Sequence, residues 1–490
     1  MSISLPGDVS LLAPELALAL WGCSILLLDL VLPGAMPRRP LMWLSLLGLA
    51  VAAGLSLGLL TRPLPTTSFA DFLVVDQFSV YFKLIFLISA ALVVLASDTF
   101  TERLREYEAE FYGLLLLCTT GLMLMATTGE LMSLYLSLEL SSLSLAFLAT
   151  WAKRDLRSSE AGMKFFILSA MSSAILLYGM ALLYGLTGST SLREIARLLA
   201  AGGSTAAMLA MSMLVAGFGF KIAAVPFQMW TPDVYEGAPT PVTAFLSTAS
   251  KAAGFAVILR IFQSALGSIQ PEWTTLFAIL AIVTMTVGNI MALVQTNLKR
   301  LLAYSSIGHV GYMLAGLAAG TAFGLSSVIF YLLVYTFTNV GAFAVLIVMS
   351  RYVEDENITS YSGLARRAPW LSAAMAFCLL SLAGLPPLAG FFGKLYIFWA
   401  VAEHGMYWLV LAGVINSAIS LYYYARVIRQ MYLVEAPSAK LAEPLEEPRV
   451  GVGFAPALSL AAAVIGIFVI GPFSGPFIQA AVGAAQGIVP

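Results

Sequence analysis

Charge is scarce in this sequence. Asp, Glu, Lys and Arg make up 10% of its 490 residues, against about 25% in a soluble globular domain. No stretch carries the polar face that water would require, so water is excluded as the main solvent. Cysteine is scarce too. Cys23, Cys118 and Cys378 stand far apart in apolar runs, without a CxxC pair, which argues against an iron–sulfur, haem or zinc site. There is no Walker loop and no GxGxxG after a strand, so nucleotide binding has no support. A net charge of −1 gives no reason to expect nucleic acid as a partner. The opening MSISLPGDVS contains no Lys or Arg, so the basic start of a cleaved secretory signal is lacking. The first apolar run is expected to be a retained span.

What is present is apolar. Hydrophobic residues make up 60% of the chain and the mean hydropathy is +0.92, which makes the bilayer the solvent. Spanning helices need about 20 mostly apolar residues. Such runs lie near 11–32, 41–60, 77–97, 111–127, 130–151, 161–186, 206–230, 240–263, 275–295, 301–319, 323–350, 370–402, 407–432 and 453–472. The expected fold class is an all-α polytopic membrane protein of about fourteen spans. Its single membrane domain divides into three N-terminal helices (1–105), two five-helix units (110–264 and 275–432), and a last helix with a short tail (453–490).

Loop cations orient the chain. With both termini outside, the inner side receives Arg38, Arg39, Arg103, Arg105, Lys153, Arg154, Arg157, Lys299, Arg300, Arg351, Arg366, Arg367, Arg426, Arg429, Lys440 and Arg449. The outer side receives Arg62, Lys83, Arg193, Arg197 and Arg260. Lys164, Lys221, Lys251 and Lys394 belong to neither set.

At about 1.5 Å per residue, ten residues reach the middle of a ~30 Å core. Lys251 lies ten residues past Pro241, and Lys394 ten before His404. Lys221 is midway along its run, and Glu139 sits at similar depth in GELMSLYLSLELSSLSLAF. His309 is about 12 Å inside by the same rise; Lys164 is shallower. One uncompensated charge at the bilayer centre costs roughly 2.5–3.5 kcal/mol, so the four deep charges would oppose insertion by about 10 kcal/mol. Such residues normally line hydrated cavities or pair. Desolvation favours a neutral amine and a nearby carboxylate favours the ammonium, so a row of such lysines can exchange protons. The plainer readings are that Lys164 snorkels to an interface, that His309 packs helices, and that Glu139 is a structural partner of Lys164 or Lys221.

Pro226 follows Lys221, and Pro386 and Pro387 precede Lys394. Proline interrupts the hydrogen-bond ladder, and irregular backbone at membrane depth is tolerated only where protein or water covers it. The seventh and twelfth spans are therefore expected to be broken helices. They are five apart, and five is odd. A repeat of spans 4–8 onto 9–13 is thus inverted across the membrane, as in transporters with ion sites at the midplane. The linker PFQMWTPDVYEGAPTPV, with Asp233 and Glu236, reads as a rigid turn or as part of proton uptake.

The segments FGFKIAAVPFQMWTPDVYEGAPTPVTAFLSTASKAA, NLKRLLAYSSIGHVGYM and LSLAGLPPLAGFFGKLYIF closely resemble the antiporter-like membrane subunits of proton-translocating NADH–quinone oxidoreductase (respiratory complex I), relatives of Mrp sodium/proton antiporters. LSLELSSLSLAFLATW, RSSEAGMKFFILSA and WTPDVYEGAPTP are similar to the N-type branch. The chain ends about eighteen residues after its last span, so the long lateral helix of the L-type is not expected.

By this resemblance, Glu139 and Lys221 form the carboxylate–lysine pair of a first half-channel, with Lys164 near the glutamate. Lys251 is the central connecting lysine, His309 a polar site on the connecting axis, and Lys394 the end of the second half-channel. Gln228 stands where many relatives carry histidine. The resemblance further implies no cofactor in this chain, with NADH, flavin, iron–sulfur clusters and quinone bound in partner subunits. Those partners would be the antiporter-like M type and the small K, J and A types, in a bacterial inner membrane with both termini periplasmic. Two other readings stay open at this point: a stand-alone or Mrp-type cation/proton antiporter, and a structural membrane subunit whose charges only fix helix packing.

Overall fold

The computed structural model describes residues 8–32, 39–69, 71–102, 107–200, 205–353, 355–435 and 450–488. Arg38, Arg103, Arg105, Lys440 and Arg449, read above as inner-side cations, lie outside the described residues. The chain opens with α1 (Ala13–Val31), α2 (Arg39–Leu59) and α3 (Gln77–Thr101), then α4 (Glu108–Ala126), α5 (Leu131–Ala149) and α6 (Leu156–Thr187). A short α7 (Leu192–Leu199) leads to α8 (Thr205–Ile222), α9 (Trp230–Gly237), α10 (Thr240–Phe245) and α11 (Lys251–Ser264). The second half contains α12 (Gln270–Leu293), α13 (Leu298–Ala318), α14 (Ala322–Met349), a single turn α15 (Leu364–Arg367), α16 (Pro369–Ala383), α17 (Ala389–Glu403) and α18 (Tyr407–Leu433). It ends with α19 (Phe454–Ile470) and α20 (Ser474–Gln486).

Among the described residues, twelve helices are long and apolar enough to cross a membrane, or thirteen if α19 and α20, bent by 89°, count as one. The expected span at 370–402 is divided into α16 and α17, of 15 residues each. That division accounts for the difference from the fourteen expected. Two features were not anticipated. A small antiparallel hairpin pairs β1 (Thr66–Ser68) with β2 (Leu73–Val75), and the expected tail folds as α20.

Local chemistry sets the helix starts. Asp76 caps α3, its Oδ1 accepting from the Ser79 backbone N–H at 2.7 Å while Ser79 Oγ accepts from the Asp76 N–H at 3.0 Å. Asn297 and Thr321 cap α13 and α14, each side-chain oxygen accepting from the backbone N–H three residues on.

Burial does not follow hydrophobicity. The apolar windows of the segment Thr240–Ser264 and of α13 are wholly buried, although these helices carry Lys251, Ser305, Ser306 and His309. The more apolar α1 and α6 are mostly peripheral. Lipid is as good a solvent for Leu as another Leu is, so polar helices gather at the centre where their groups find partners.

Candidate functional site

The first expected break is real. α8 stops at Ile222, Ala223 takes a left-handed φ of 63°, and helix resumes at Trp230. Lys221 occupies the last turn of α8, rather than the middle of a continuous run, and is buried. Its Nζ donates to Ser141 Oγ and Ser142 Oγ of α5, each at 3.1 Å. The break backbone is held by tertiary partners: Val225 N–H donates to Thr284 Oγ1 at 3.1 Å, and Trp230 Nε1 to Phe220 O at 3.0 Å.

The second break repeats this arrangement. α16 ends at Ala383, Gly384 takes φ 87°, and α17 begins at Ala389. The buried Lys394 reaches back across the break, donating to Ala383 O and to Ser417 Oγ of α18, both at 2.9 Å. Its Nζ lies 4.8 Å from the centre of the Tyr312 ring. A Cβ at Gly384 would come within 2.9 Å of the Lys394 Cδ, so glycine serves both the turn and the lysine's approach.

Lys251 stands directly after a π turn at Leu246–Ser250, a distortion common at functional sites. Its Nζ donates to Ser306 Oγ of α13 and lies 5.7 Å from the Tyr235 ring. One turn on, Gly254 packs against the other lysine helix. An added Cβ there would lie 2.6 Å from Ile222 Cγ2 and 3.3 Å from Lys221 Cγ. The helices carrying Lys221 and Lys251 therefore cross in close contact.

His309 is buried on α13 with both ring nitrogens engaged. Nδ1 is 2.6 Å from Tyr331 Oη and Nε2 is 3.1 Å from Tyr424 Oη. Tyr424 Oη also meets Ser305 Oγ at 2.5 Å. Ser305, Tyr424, His309 and Tyr331 thus form one hydrogen-bonded chain across α13, α18 and α14.

Glu139 is half-buried on α5 and accepts from Ser173 Oγ of α6. It forms an ion pair with neither Lys221 nor Lys164. Lys164 pairs instead with Glu160 at 2.8 Å and with Asp233 at 3.1 Å. Asp233 also meets Arg300 at 2.9 Å, and Arg300 meets Glu236 at 2.9 Å. Burial pushes the Asp233 carboxyl up, but the bonds from Lys164 and Arg300 outweigh it and hold the group below its ordinary range. These residues adjoin a vestibule of about 700 Å³ at the basic end of the bundle, lined by Arg157, Glu236, Thr240, Lys299, Arg300 and Glu356 among others.

Residues 128–420 match the family described as "NADH:quinone oxidoreductase/Mrp antiporter, TM". The chain belongs to that family. NADH-quinone oxidoreductase subunit N of Trichlorobacter lovleyi is 47% identical over 87% of this antiporter-like chain and 88% of the relative. The subunit of the same description from Desulforamulus reducens is 43% identical over 98% and 99%. A chain of respiratory complex I from Thermus thermophilus with bound aureothin superposes at a TM-score of 0.77 and 35% identity, over 95% of this chain and 98% of that one.

Two buried ion pairs of this family member escaped the loop-charge reading. Lys83, placed there on the outer side, is fully buried against Glu15 at 2.8 Å. Arg260, placed likewise, grips Asp76 through two bonds of 2.9 and 3.0 Å and donates to Ala126 O at 2.8 Å. Their signal was a lone acid near the start of α1 and another capping α3, each easily taken for an interfacial charge. The serine partners of Lys221 and Lys251 stand in the runs LSLELSSLS and YSSIGH.

Proposed function

We propose that this chain couples the reduction of quinone by NADH, carried out in partner subunits, to proton translocation along Glu139, Lys221, Lys251, His309 and Lys394. The observation that carries this reading is a contrast among buried cations. Lys83, Arg260 and Lys299 each hold a carboxylate. Lys221, Lys251 and Lys394 hold only hydroxyls and a carbonyl. An ammonium tied to a carboxylate is locked in charge. One held by neutral dipoles can surrender its proton to a neighbour without stranding an anion.

The order of steps follows from the spatial chain. A change in the charge on Glu139 biases Lys221, whose helix touches that of Lys251. Ser305, next to Lys251's partner Ser306, continues through Tyr424 and His309 to Tyr331, whose ring packs on Gly393, the residue before Lys394. Moving one charge against ~150 mV costs about 3.5 kcal/mol, a size that a change in interaction between charges in a partly hydrated interior can supply. Lys164 belongs to the mouth of this path, through Asp233.

The redox groups (flavin, iron–sulfur clusters, quinone) belong to partner subunits. Glu139 lies beside the exposed Leu136, Leu140 and Leu143. A carboxylate on a face otherwise suited to lipid supports a neighbouring membrane subunit of the K, J, A or M type covering it. The cation distribution supports an inner membrane location with the basic end inside and both termini outside. The two broken helices support equivalent positions in inverted repeats at 110–264 and 275–432.

The test is Lys221→Met and Lys394→Met in the assembled complex, with NADH-driven proton uptake measured in inverted vesicles. Both variants should lose pumping. Full pumping by both would overturn the relay and leave a structural subunit.

A further inference from the structure

The helix α12 has one of the most apolar windows of the chain, yet Thr284, Thr286 and Asn289 stand in the run VTMTVGN on it. Thr284 and Asn289 are buried. Hydroxyls and amides on membrane helices commonly hold neighbouring helices together, so their presence alone means little. Their partners say more.

The first break leans on Thr284. Within it the N–H groups of Ala223, Ala224 and Phe227 bond carbonyls of the same segment, those of Phe220, Gly219 and Ala224. Val225 N–H, four residues past Lys221, instead leaves the segment for Thr284 Oγ1 at 3.1 Å. The second break closes on itself: Gly384 and Leu385 N–H both reach Leu380 O at 3.1 Å, and Gly390 N–H reaches Ser381 Oγ at 3.1 Å.

Five residues past Thr284, about 7.5 Å along the helix, Asn289 serves the other lysine. Its Nδ2 donates to Met285 O at 2.8 Å and to Tyr312 Oη at 3.1 Å, and its Oδ1 accepts from Tyr423 Oη at 2.9 Å. These bonds set the Tyr312 ring against the Lys394 ammonium. Thr286 Oγ1 accepts from Asn416 Nδ2 at 3.2 Å, and Asn416 precedes Ser417, the hydroxyl partner of Lys394. α12 is itself clamped to α13. A Cβ on Gly288 would lie 2.5 Å from Gly308 N, and one on Gly311 would lie 2.4 Å from Met285 N. Small residues here let the two backbones touch.

Resting on the relay reading above, we propose that α12 ties the two broken helices together: Thr284 positions Lys221 through Val225, and Asn289 positions Lys394 through Tyr312. No proton crosses α12. It fixes the two ammonium sites relative to each other, so a displacement of the first break as Lys221 changes charge reaches the second. Thr284, Asn289 and Tyr312 are positioning residues.

The experiment measures NADH-driven proton uptake per assembled complex in inverted vesicles, for Thr284→Val, Thr284→Ser, Tyr312→Phe and the double variant Thr284→Val/Tyr312→Phe. Lys221→Met is the reference. Thr284→Val keeps the shape of the side chain and removes the acceptor. Tyr312→Phe keeps the ring over Lys394 and removes the oxygen that Asn289 bonds, while the amide retains Met285 O. Each should slow uptake about fivefold, the rate equivalent of about 1 kcal/mol. Thr284→Ser, which keeps the hydroxyl, should stay within about twofold of wild type. Residues that act as one unit are not additive, so the double variant should also be slowed about fivefold. Thr284→Cys, whose thiol accepts only weakly, carries the test if Thr284→Val fails to assemble. Independent effects would multiply to about twenty-five-fold in the double variant, and that result would overturn the tie. Thr284→Ser as slow as Thr284→Val would reduce Thr284 to packing and overturn it too. Wild-type uptake in Thr284→Val and Tyr312→Phe, with Lys221→Met blocked, would overturn the tie alone. Wild-type uptake in Lys221→Met would overturn the relay on which the tie rests.

Discussion

Replacing Lys221 and replacing Arg260 should have opposite consequences, although both are buried cations in neighbouring helices. Lys221 is held by two serine hydroxyls at 3.1 Å. Lys221→Met removes an intramembrane charge that costs roughly 2.5–3.5 kcal/mol and gives up two bonds to a charged donor at about 1.5 kcal/mol each. The two figures nearly cancel. Ser141 keeps its bond to Leu138 O at 2.8 Å, so its hydroxyl is not stranded. The folded chain should therefore change by no more than about 1 kcal/mol, a shift within the scatter of ordinary substitutions, while proton transfer stops. Arg260→Leu strips Asp76 of two bonds and leaves a buried carboxylate, a loss of about 3–5 kcal/mol. Thermal unfolding of the purified complexes in one detergent, with proton uptake per assembled complex in vesicles, separates the two. The reasoning fails if Lys221→Met unfolds as easily as Arg260→Leu yet still pumps when assembled.

Three other outcomes are expected. Glu15→Leu or Lys83→Leu alone should destabilise the first three helices by about 3–5 kcal/mol, whereas the double replacement should come within about 1 kcal/mol of wild type, as read by a double-mutant cycle in unfolding. Gly254→Val should force α11 away from α8, because its first side-chain carbon would already lie 2.6 Å from Ile222. Overpacking of this kind costs about 1–3 kcal/mol, and uptake per assembled complex should fall as the helices carrying Lys221 and Lys251 separate. The Asp233 carboxyl is depressed in the folded chain, so its bonds to Lys164 and Arg300 stabilise the mouth at any pH above the unfolded value of about 3.9 and fade only as pH falls through the folded one. Hydrogen exchange over Trp230–Gly237 should thus be flat in its stability component from about pH 6 to about 8 and faster in Asp233→Asn throughout.

Much of this was legible from depth and proline alone. Lys221 and Lys394 stood out because an ammonium so far from an interface has nowhere to snorkel, and Pro226 and Pro387 mark both interruptions. What was not legible was pairing. Depth along one helix says nothing about which residue of another helix lies opposite. Lys164 therefore turned out to meet Glu160 and Asp233 rather than Glu139. The same blindness placed Lys83 and Arg260 at the surface. Counting cations near helix ends cannot distinguish a loop charge from one buried a few residues inside, against an acid on a distant helix. The hairpin at Thr66–Val75 was too short for alternation to register. α20 is uncharged and apolar enough to resemble the end of a span, and only its 89° bend sets it apart.

The two breaks share a physical logic that explains why they accompany lysines. Lys394 bonds the carbonyl of Ala383, the last residue of α16, and Lys221 sits in the last turn of α8. Each ammonium therefore lies at a helix C-terminus, where unpaired carbonyls sum to about half a negative charge, worth up to ~2 kcal/mol in a partly buried setting. That is enough to oppose part of the cost of a charge in the bilayer, yet weaker than a carboxylate, which would hold the proton permanently. A continuous helix passing through the midplane has no such end to offer, since its carbonyls are consumed by its own ladder. Breaking the helix at mid-depth creates the partial charge where it is needed. Lys251, on an unbroken helix, has instead a π turn directly before it, the hydroxyl of Ser306 and the Tyr235 ring 5.7 Å away. The fold thus supplies each lysine with fractional, neutral stabilisation and reserves full carboxylate partners for Lys83, Arg260 and Lys299, whose charge has no reason to change.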